Sequence, residues 1–431
     1  MANVIRGAHF SDIHYAAGTL AEVDRCFSFA VEEAINRGVA FAVISGDSTD
    51  HALDMHAPAV DALARNIRRL ADHCPVLMLQ GTISHEPPGT LNLFRLLGGR
   101  YPVHVADRLQ QVALLQDGTW HTSEGWRFDV VPDGSRALFS CVPVVNKAVV
   151  AAAVGGADTA REVGERLSAL LCGFAATNEA ARKQCIPTIG VSHGTVYGCL
   201  TEHDVPMAGF DHEFTTGALF AGGAAAFMLG HIHKHQAWIG NGRVIAYAGS
   251  LGRLHYGEQG DKGFLVWEVG VDAARCELGA TPAKRTIDIS FDGMPDLDQL
   301  RQVVRETTVD GAFVRVRWVV PEEDIDTIDR AAIERLFAGA AQVKLAGRVI
   351  PVVRARAAGI SHLATMASKV RAWAEVTDAK PEPLLGCLEA LHAQAPEEIA
   401  AAIMAQLESV VPLFPPDMLA VNGRSEVAAT S

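Results

Sequence analysis

The stretch Phe227-Met228-Leu229-Gly230-His231-Ile232-His233 ends an apolar run in a glycine and then delivers two histidines at positions i and i+2. Extended backbone turns such a pair to the same side, so two neutral imidazoles can reach one metal ion together. Four earlier apolar runs stop in a comparable way. Residues 4–10 stop at Ser11-Asp12-Ile13-His14, and 39–44 at Ser45-Gly46-Asp47. Residues 75–79 lead to Gly81-Thr82-Ile83-Ser84-His85-Glu86, and 186–191 stop at Ser192-His193-Gly194.

Between these runs lie segments of helical period. Residues 22–36 place Val23, Phe27, Ala30, Val31 and Ala34 on one side, and residues 57–73 carry a stripe of Ala59, Leu63, Ile67 and Leu70. Fully apolar strands alternating with helices are the mark of an α/β fold. Shorter β-like runs at 112–115, 126–131 and 137–142 predict a second sheet, with further strands at 244–248 and 264–269. An Ala-rich stretch, 148–177, reads as helices. Near residue 280 the pattern changes to a short strand–helix–strand–helix–strand alternation without histidines, and from 360 onward it is helical, ending in a frayed tail after 418. The expected division is 1–280, 281–357 and 358–431.

The 431 residues are long for one domain, and 49% hydrophobic with 20% charged residues describes a soluble globular chain. A formal net charge of −13 argues against a broad sequence-blind grip on nucleic acid, though bound divalent cations would escape that sum. The eight cysteines are scattered, as expected of reduced thiols in a cytoplasmic protein. No signal peptide is expected, because Asp12 is needed as a ligand, and the most membrane-like run, 217–230, is too short to span. Motifs for nucleotide-driven motors are missing from the sequence. An aromatic content of 6% offers little for stacking along single strands.

Five strand ends therefore carry Asp12/His14, Asp47, Ser84/His85, His193 and His231/His233. Sites in open α/β sheets form where the carboxyl ends of strands open into loops, so the five clusters can converge. Imidazole and carboxylate without thiolate favours Mn, Fe or Zn over a structural cysteine site, and the number of ligands suggests two ions sharing a carboxylate. Two metals about 4 Å apart are the usual clamp for in-line displacement at phosphorus.

These blocks resemble the five signature blocks of the calcineurin-like metallophosphoesterases: Asp12-Ile13-His14, Gly46-Asp47 with Asp50, Gly81 to Glu86, His193-Gly194 and Gly230-His231-Ile232-His233. Within that superfamily, Tyr247-Ala248-Gly249-Ser250-Leu251-Gly252-Arg253-Leu254-His255-Tyr256-Gly257-Glu258, followed by Lys262-Gly263-Phe264, is similar to a stretch of the SbcD-type DNA repair nucleases, with Ala248 in place of a proline. The resemblance covers most of residues 1–270 and extends beyond only by arrangement. It implies two facing mixed β-sheets flanked by helices, a small α+β capping domain and a helical C-terminal tail.

By position, the resemblance implies that Asp12, His14 and His233 hold one ion, Asp47 bridges, and His193 and His231 hold the other. His85 would give a proton to the leaving alkoxide with Glu86 orienting its ring, and Asp50 would support the ligands from behind. Arg253 is a candidate phosphate contact, as is Lys147. The third block departs from the family's Gly-Asn-His-Asp: the asparagine ligand is missing, with Ser84 the nearest replacement and Thr82 the other candidate. The loop 201–213, with Glu202 and His203, reads as a solvated or substrate-edge segment. The implied activity is a Mn²⁺-dependent DNA exonuclease, with possible endonuclease activity, in repair or recombination. The implied partners are DNA, an SbcC-type coiled-coil ATPase and a second copy of the chain, with no membrane. The rivals are a small-molecule or cyclic-nucleotide phosphodiesterase, and a scaffold subunit whose chemistry has decayed at the third block.

Overall fold

The computed structural model describes residues 3–97, 99–144, 159–207, 213–258, 260–351 and 359–410. The chain divides into two compact units, Met1–Val349 and Ile350–Ser431.

In the first unit, β1 (Ile5–Phe10), α1 (Leu20–Asn36), β2 (Phe41–Ile44), α2 (Pro58–His73), β3 (Val76–Leu79) and β4 (Val103–Ala106) follow in order. The four strands pair in parallel in the sequence β1-β2-β3-β4. β2 and β3 are wholly buried, which explains their unbroken apolar runs, and β1 and β4 are buried except at Arg6 and the half-buried His104. The chain then builds a second sheet from β5 (Gln110–Leu115), β6 (Trp120–Thr122), β7 (Ser135–Val142) and, after α3 (Thr159–Lys183), β8 (Thr188–His193). A short parallel pair, β9 (Thr195–Val196) and β10 (Glu213–Phe214), precedes α4 (Thr216–Ala221). β11 (Ala226–Gly230), β12 (Gln236–Gly240) and β13 (Arg243–Tyr247) complete the second sheet in the order β12-β13-β11-β8-β7-β5-β6. β14 (Gly263–Val269) and β15 (Ala274–Ala280) return antiparallel to the edge of the first, beside β1.

Both sheets are thus mixed, and they face one another across a shared core. Phe41, Leu77 and Trp267 of the first sheet pack with Phe139, Val191 and Met228 of the second. Phe41 and Phe139 meet edge to face at 5.2 Å. The outer face of the first sheet is covered by α1 and α2, through Phe27, Leu63 and Ile67. Leu171 and Phe174 of α3, with Leu219 of α4, cover that of the second. The result is the α/β architecture of two facing mixed sheets flanked by helices.

The residues expected as a strand at 126–131 are irregular instead. Their backbone is satisfied by side chains: Phe128 N–H donates to Gln111 Oε1 (3.0 Å), and Thr177 Oγ1 donates to the Phe128 carbonyl (3.0 Å). The strand at this sheet edge is β6, six residues earlier, and β12 and β15 carry no continuous apolar run in the sequence because their burial is only partial.

The stretch after 280 folds as β16 (Thr286–Asp292), α5 (Leu297–Glu306), β17 (Phe313–Pro321), α6 (Arg330–Leu336) and β18 (Gln342–Ile350), a three-stranded sheet with β17 central. It has a cluster of its own around Val316, Trp318, Ile333 and Phe337. The second unit contains α7 (Met366–Thr377), α8 (Pro381–Ala393) and α9 (Pro396–Val410). Among its described residues Ala374 alone is fully buried among the apolar ones, while Met366, Val376, Leu384, Leu391, Ile403 and Met404 are exposed. Lys147, residues 148–158 and the tail after 418 lie outside the described residues, and no helix among the described residues is long and apolar enough to cross a membrane.

Candidate metal centre

The carboxyl ends of β1, β2, β3, β8 and β11 open at one rim, and each delivers its polar cluster there. The loops after β1 and β2 are zipped together: Asp12 N–H donates to Gly46 O (3.2 Å), His14 N–H to Asp47 O and Tyr15 N–H to Ser48 O (both 3.0 Å). Asp12 (φ 50°), His14 (φ 55°), Asp47 (φ 51°) and His231 (φ 99°) all occupy left-handed backbone. Residues with side chains pay for that conformation, and such strain gathers at functional sites. Glycines permit the crowding. A Cβ on Gly81 would meet Asp47 N and Oδ1 at 2.3 Å.

Three groups of side chains bring their ligand atoms within 4.8 Å of one another: Asp12/His14/His233, His14/Asp47/His85 and Asp47/His193/His231. The groups overlap at His14 and Asp47, and so form one continuous cluster. Asp47 Oδ2 stands 3.3 Å from His193 Nε2 and 4.0 Å from His14 Nε2, between the two halves. His14 and His233 turn their Nε2 atoms toward each other at 3.2 Å. Asp12 accepts from Ser11 Oγ (2.5 Å) and, through both oxygens, from the His231 N–H (3.0 and 3.1 Å). Asp12, His14, Asp47 and His193 are all buried.

The donor set fits divalent cations. His193 Nδ1 donates to the Ser45 carbonyl (2.8 Å), which fixes the tautomer and leaves Nε2 facing Asp47. Burial, together with the charge of His14, holds His233 well below the ordinary imidazole range, as a neutral ligand requires. Although burial opposes ionisation of Asp47, the imidazoles of His193, His14 and His85 hold its carboxyl well below the usual range. Against the same penalty of burial, Asp47 pushes His193 up to about 9. A buried carboxylate this strongly coupled to its neighbours draws positive charge.

The third block resolves in space. Thr82, not Ser84, reaches the cluster: its N–H donates to Asp47 Oδ1 (2.7 Å), its hydroxyl donates to Asp47 Oδ2 (3.1 Å), and that hydroxyl lies 3.2 Å from His193 Nε2. Ser84 sits exposed on the turn. The turn itself explains this, because Glu86 N–H and His85 N–H both fold back onto the Thr82 carbonyl and aim Ser84 outward.

Glu86 also departs from its expected place. It is fully buried and accepts from Ser48 N–H and Gly81 N–H (both 2.6 Å), so it staples the β2 loop to the β3 loop and does not orient His85. Burial and the nearby Asp47 charge raise its carboxyl to about 7. The acid beside His85 is Asp50, whose Oδ1 lies 3.9 Å from His85 Nδ1 and 3.5 Å from His14 Nδ1. The His14 imidazole holds Asp50 down to about 2, burial opposing.

Arg253 is not placed to grip a phosphate. Its guanidinium is occupied by the backbone carbonyls of Glu258, Gly260, Ala283 and Lys284. Glu258 and Lys262 form a buried ion pair. Lys262 Nζ donates to the His233 carbonyl (2.9 Å) and to Ser250 Oγ (3.1 Å), while Glu258 accepts from Leu254 N–H and His255 N–H. The Gly-Ser to Lys-Gly-Phe block thus braces the backbone of His233. The sequence carried this block as a motif but no sign of its role.

The cluster floors a cavity of about 530 Å³, whose lining includes His85, Asp50, Glu202, Met207, Leu254 and His255. Glu202, His233 and His255 also draw within 4.8 Å of one another at its mouth. Of the loop 201–213, residues 208–212 lie outside the described residues.

No protein-family model matches the chain, and no curated protein matches it. Solved structures of loosely similar shape include GAP50, the anchor in the inner membrane complex of Plasmodium: 13% identity, 65% of this chain and 85% of that one, TM-score 0.42. Phosphopantetheinyl hydrolase from Mycobacterium tuberculosis is similar at 14% identity over 58% of this chain and 90% of that one, TM-score 0.27. A conserved uncharacterized protein from Streptococcus pneumoniae, described as a predicted phosphoesterase, is similar at 12% over 65% and 99%, TM-score 0.21. Likenesses this loose carry no activity over to the chain.

Proposed function

We propose that this chain is a two-metal phosphodiesterase acting on DNA phosphodiester bonds. The observation that carries the hydrolytic part is the overlap of three His/Asp groups at Asp47 and His14, on strand ends held in strained backbone. Asp12, His14 and His233 would hold one divalent cation and His193 and His231 the other, with Asp47 shared and the Thr82 hydroxyl beside the second. Such cations supply Lewis-acid stabilisation of the charge that develops on phosphoryl oxygens, and Mn²⁺ suits the donor set.

The protein's own groups do the rest. His85 lines the cavity beside the cluster, its ring 4.9 Å from that of His14, and is placed to protonate a leaving alkoxide. Asp50 stands beside its ring, with Oδ1 3.9 Å from His85 Nδ1. Glu86 keeps the two carrying loops in register. Lys262 holds the His233 backbone.

The DNA part rests on the resemblance of residues 247–264 to the SbcD-type nucleases. An ATPase partner and a second copy of the chain belong to the same reading, and the exposed apolar side chains of α7, α8 and α9 support a docking role. One observation favours a second reading, a small phosphodiester: the cavity is lined by the carboxylates Asp50 and Glu202 with Met207 and Leu254, a poor wall for a polyanion. Mn²⁺-dependent hydrolysis of linear duplex DNA and of bis-p-nitrophenyl phosphate, beside Asp47→Asn, separates these. Both activities lost in the variant uphold the nuclease. Cleavage of the small diester alone moves the substrate to a small molecule, and silence on both overturns the hydrolase.

A further inference from the structure

A second cavity, of about 240 Å³, shares Thr19, Leu254 and His255 with the wall of the metal-centre cavity. It runs from the start of α1 to the small sheet, where Tyr256, Lys284, Phe313 and Gln342 line it. None of these residues has a role in the metal centre.

The walls are built and fixed. The Arg315 guanidinium lies 4.8 Å from the centre of the Tyr256 ring, and is itself held by two hydrogen bonds to Asp288 (2.9 and 2.8 Å). Arg317 grips the same carboxylate (3.1 and 2.9 Å). In the same lining, the Lys284 ammonium lies 4.9 Å from the Phe313 ring centre and 4.0 Å from Glu22. Arg253 fastens the segment that bears Lys284 by donating to the Ala283 and Lys284 carbonyls (both 3.3 Å). The aromatic rings are therefore preorganised, which lowers the ordering cost of a ligand.

We propose that this cavity binds the nucleoside attached to the phosphoester held at the metal centre. Aromatic rings accept the face of any base. The Gln342 amide offers a donor and an acceptor to a base edge, and the Lys284 ammonium suits a flanking phosphate. The shared lining of Thr19, Leu254 and His255 sets the two cavities side by side, so one substrate would place its phosphate over Asp47 and its base beside Tyr256. The proposal rests on the phosphoesterase reading and deepens it by assigning the place where the nucleoside of the substrate is held.

Titration calorimetry on the full Mn²⁺-loaded chain, with thymidine 5′-monophosphate and methyl phosphate as probes, tests it without depending on turnover. The nucleotide is expected to bind at least about tenfold more tightly than methyl phosphate, the scale of one stacked base. Tyr256→Ala and Phe313→Ala should erase that gain while methyl phosphate affinity holds. Gln342→Ala, at an exposed position, should reduce the gain even where an aromatic variant fails to fold. Equal affinity of the two probes, or a preference that survives all three variants, overturns the subsite and leaves the metal centre standing. Failure of both probes to bind overturns the phosphoester reading along with it.

Discussion

At the scale of single residues, the third block depends on a hydroxyl chosen by the turn. Thr82 touches both Asp47 oxygens and the edge of His193, whereas Ser84 faces solvent. Thr82→Ala is therefore expected to weaken the second metal site by about 10- to 100-fold, the usual effect of losing a group that orients ligands. Ser84→Ala should leave both sites unchanged; Mn²⁺ titrations of the two variants check the contrast. Lys262 supports another prediction. Its ammonium is almost wholly buried, paired with Glu258 and donating to the His233 carbonyl. Lys262→Met leaves a buried carboxylate without its partner and is expected to cost about 3–5 kcal/mol in urea unfolding. Adding Glu258→Gln should recover part of that loss, because the orphaned charge is then gone.

At the scale of elements, the centre is a product of strand ends. Parallel strands put all their carboxyl ends on one rim, and the left-handed residues after β1, β2 and β11 turn Asp12, His14, Asp47 and His231 inward. The approach of the β3 loop to the β2 loop is close enough that only a glycine fits at Gly81. Gly81→Ala must displace Asp47, and is expected to abolish metal-dependent hydrolysis while unfolding costs only about 1–3 kcal/mol, the usual penalty of overpacking. Activity and thermal denaturation measured on the same preparation distinguish this from global unfolding.

At the scale of the whole first unit, two sheets built by separate stretches of chain supply one site: Asp12, Asp47 and Thr82 follow strands of the first, His193 and His231 strands of the second. A metal bound there would tie the sheets together and stabilise the unit through mass action. With Mn²⁺ at 100 times its dissociation constant, each site should add about 2.7 kcal/mol. A chelator is expected to lower the melting temperature of the wild-type chain and to have little effect on Asp47→Asn. An equal shift in both would show that the ions act elsewhere.

Much of this architecture is legible in the sequence. Apolar runs stopped by Gly, Asp and His identify buried parallel strands and their open ends, because the buried strand pattern and its breakers are local properties of the chain. The alternation of those runs with helical periods carried the α/β architecture in the same way. What tertiary structure alone decided were pairings across long sequence separations. Thr82 meets His193 over 111 residues, Glu86 reaches back to Ser48, and Arg253 spends its donors on carbonyls as far as Lys284. No local pattern records which hydroxyl a turn aims inward, which acid lies beside an imidazole, or whether an arginine is already satisfied. Those outcomes depend on distances set when the two sheets close on each other, and the positions of Ser84, Glu86 and Arg253 follow from that closure.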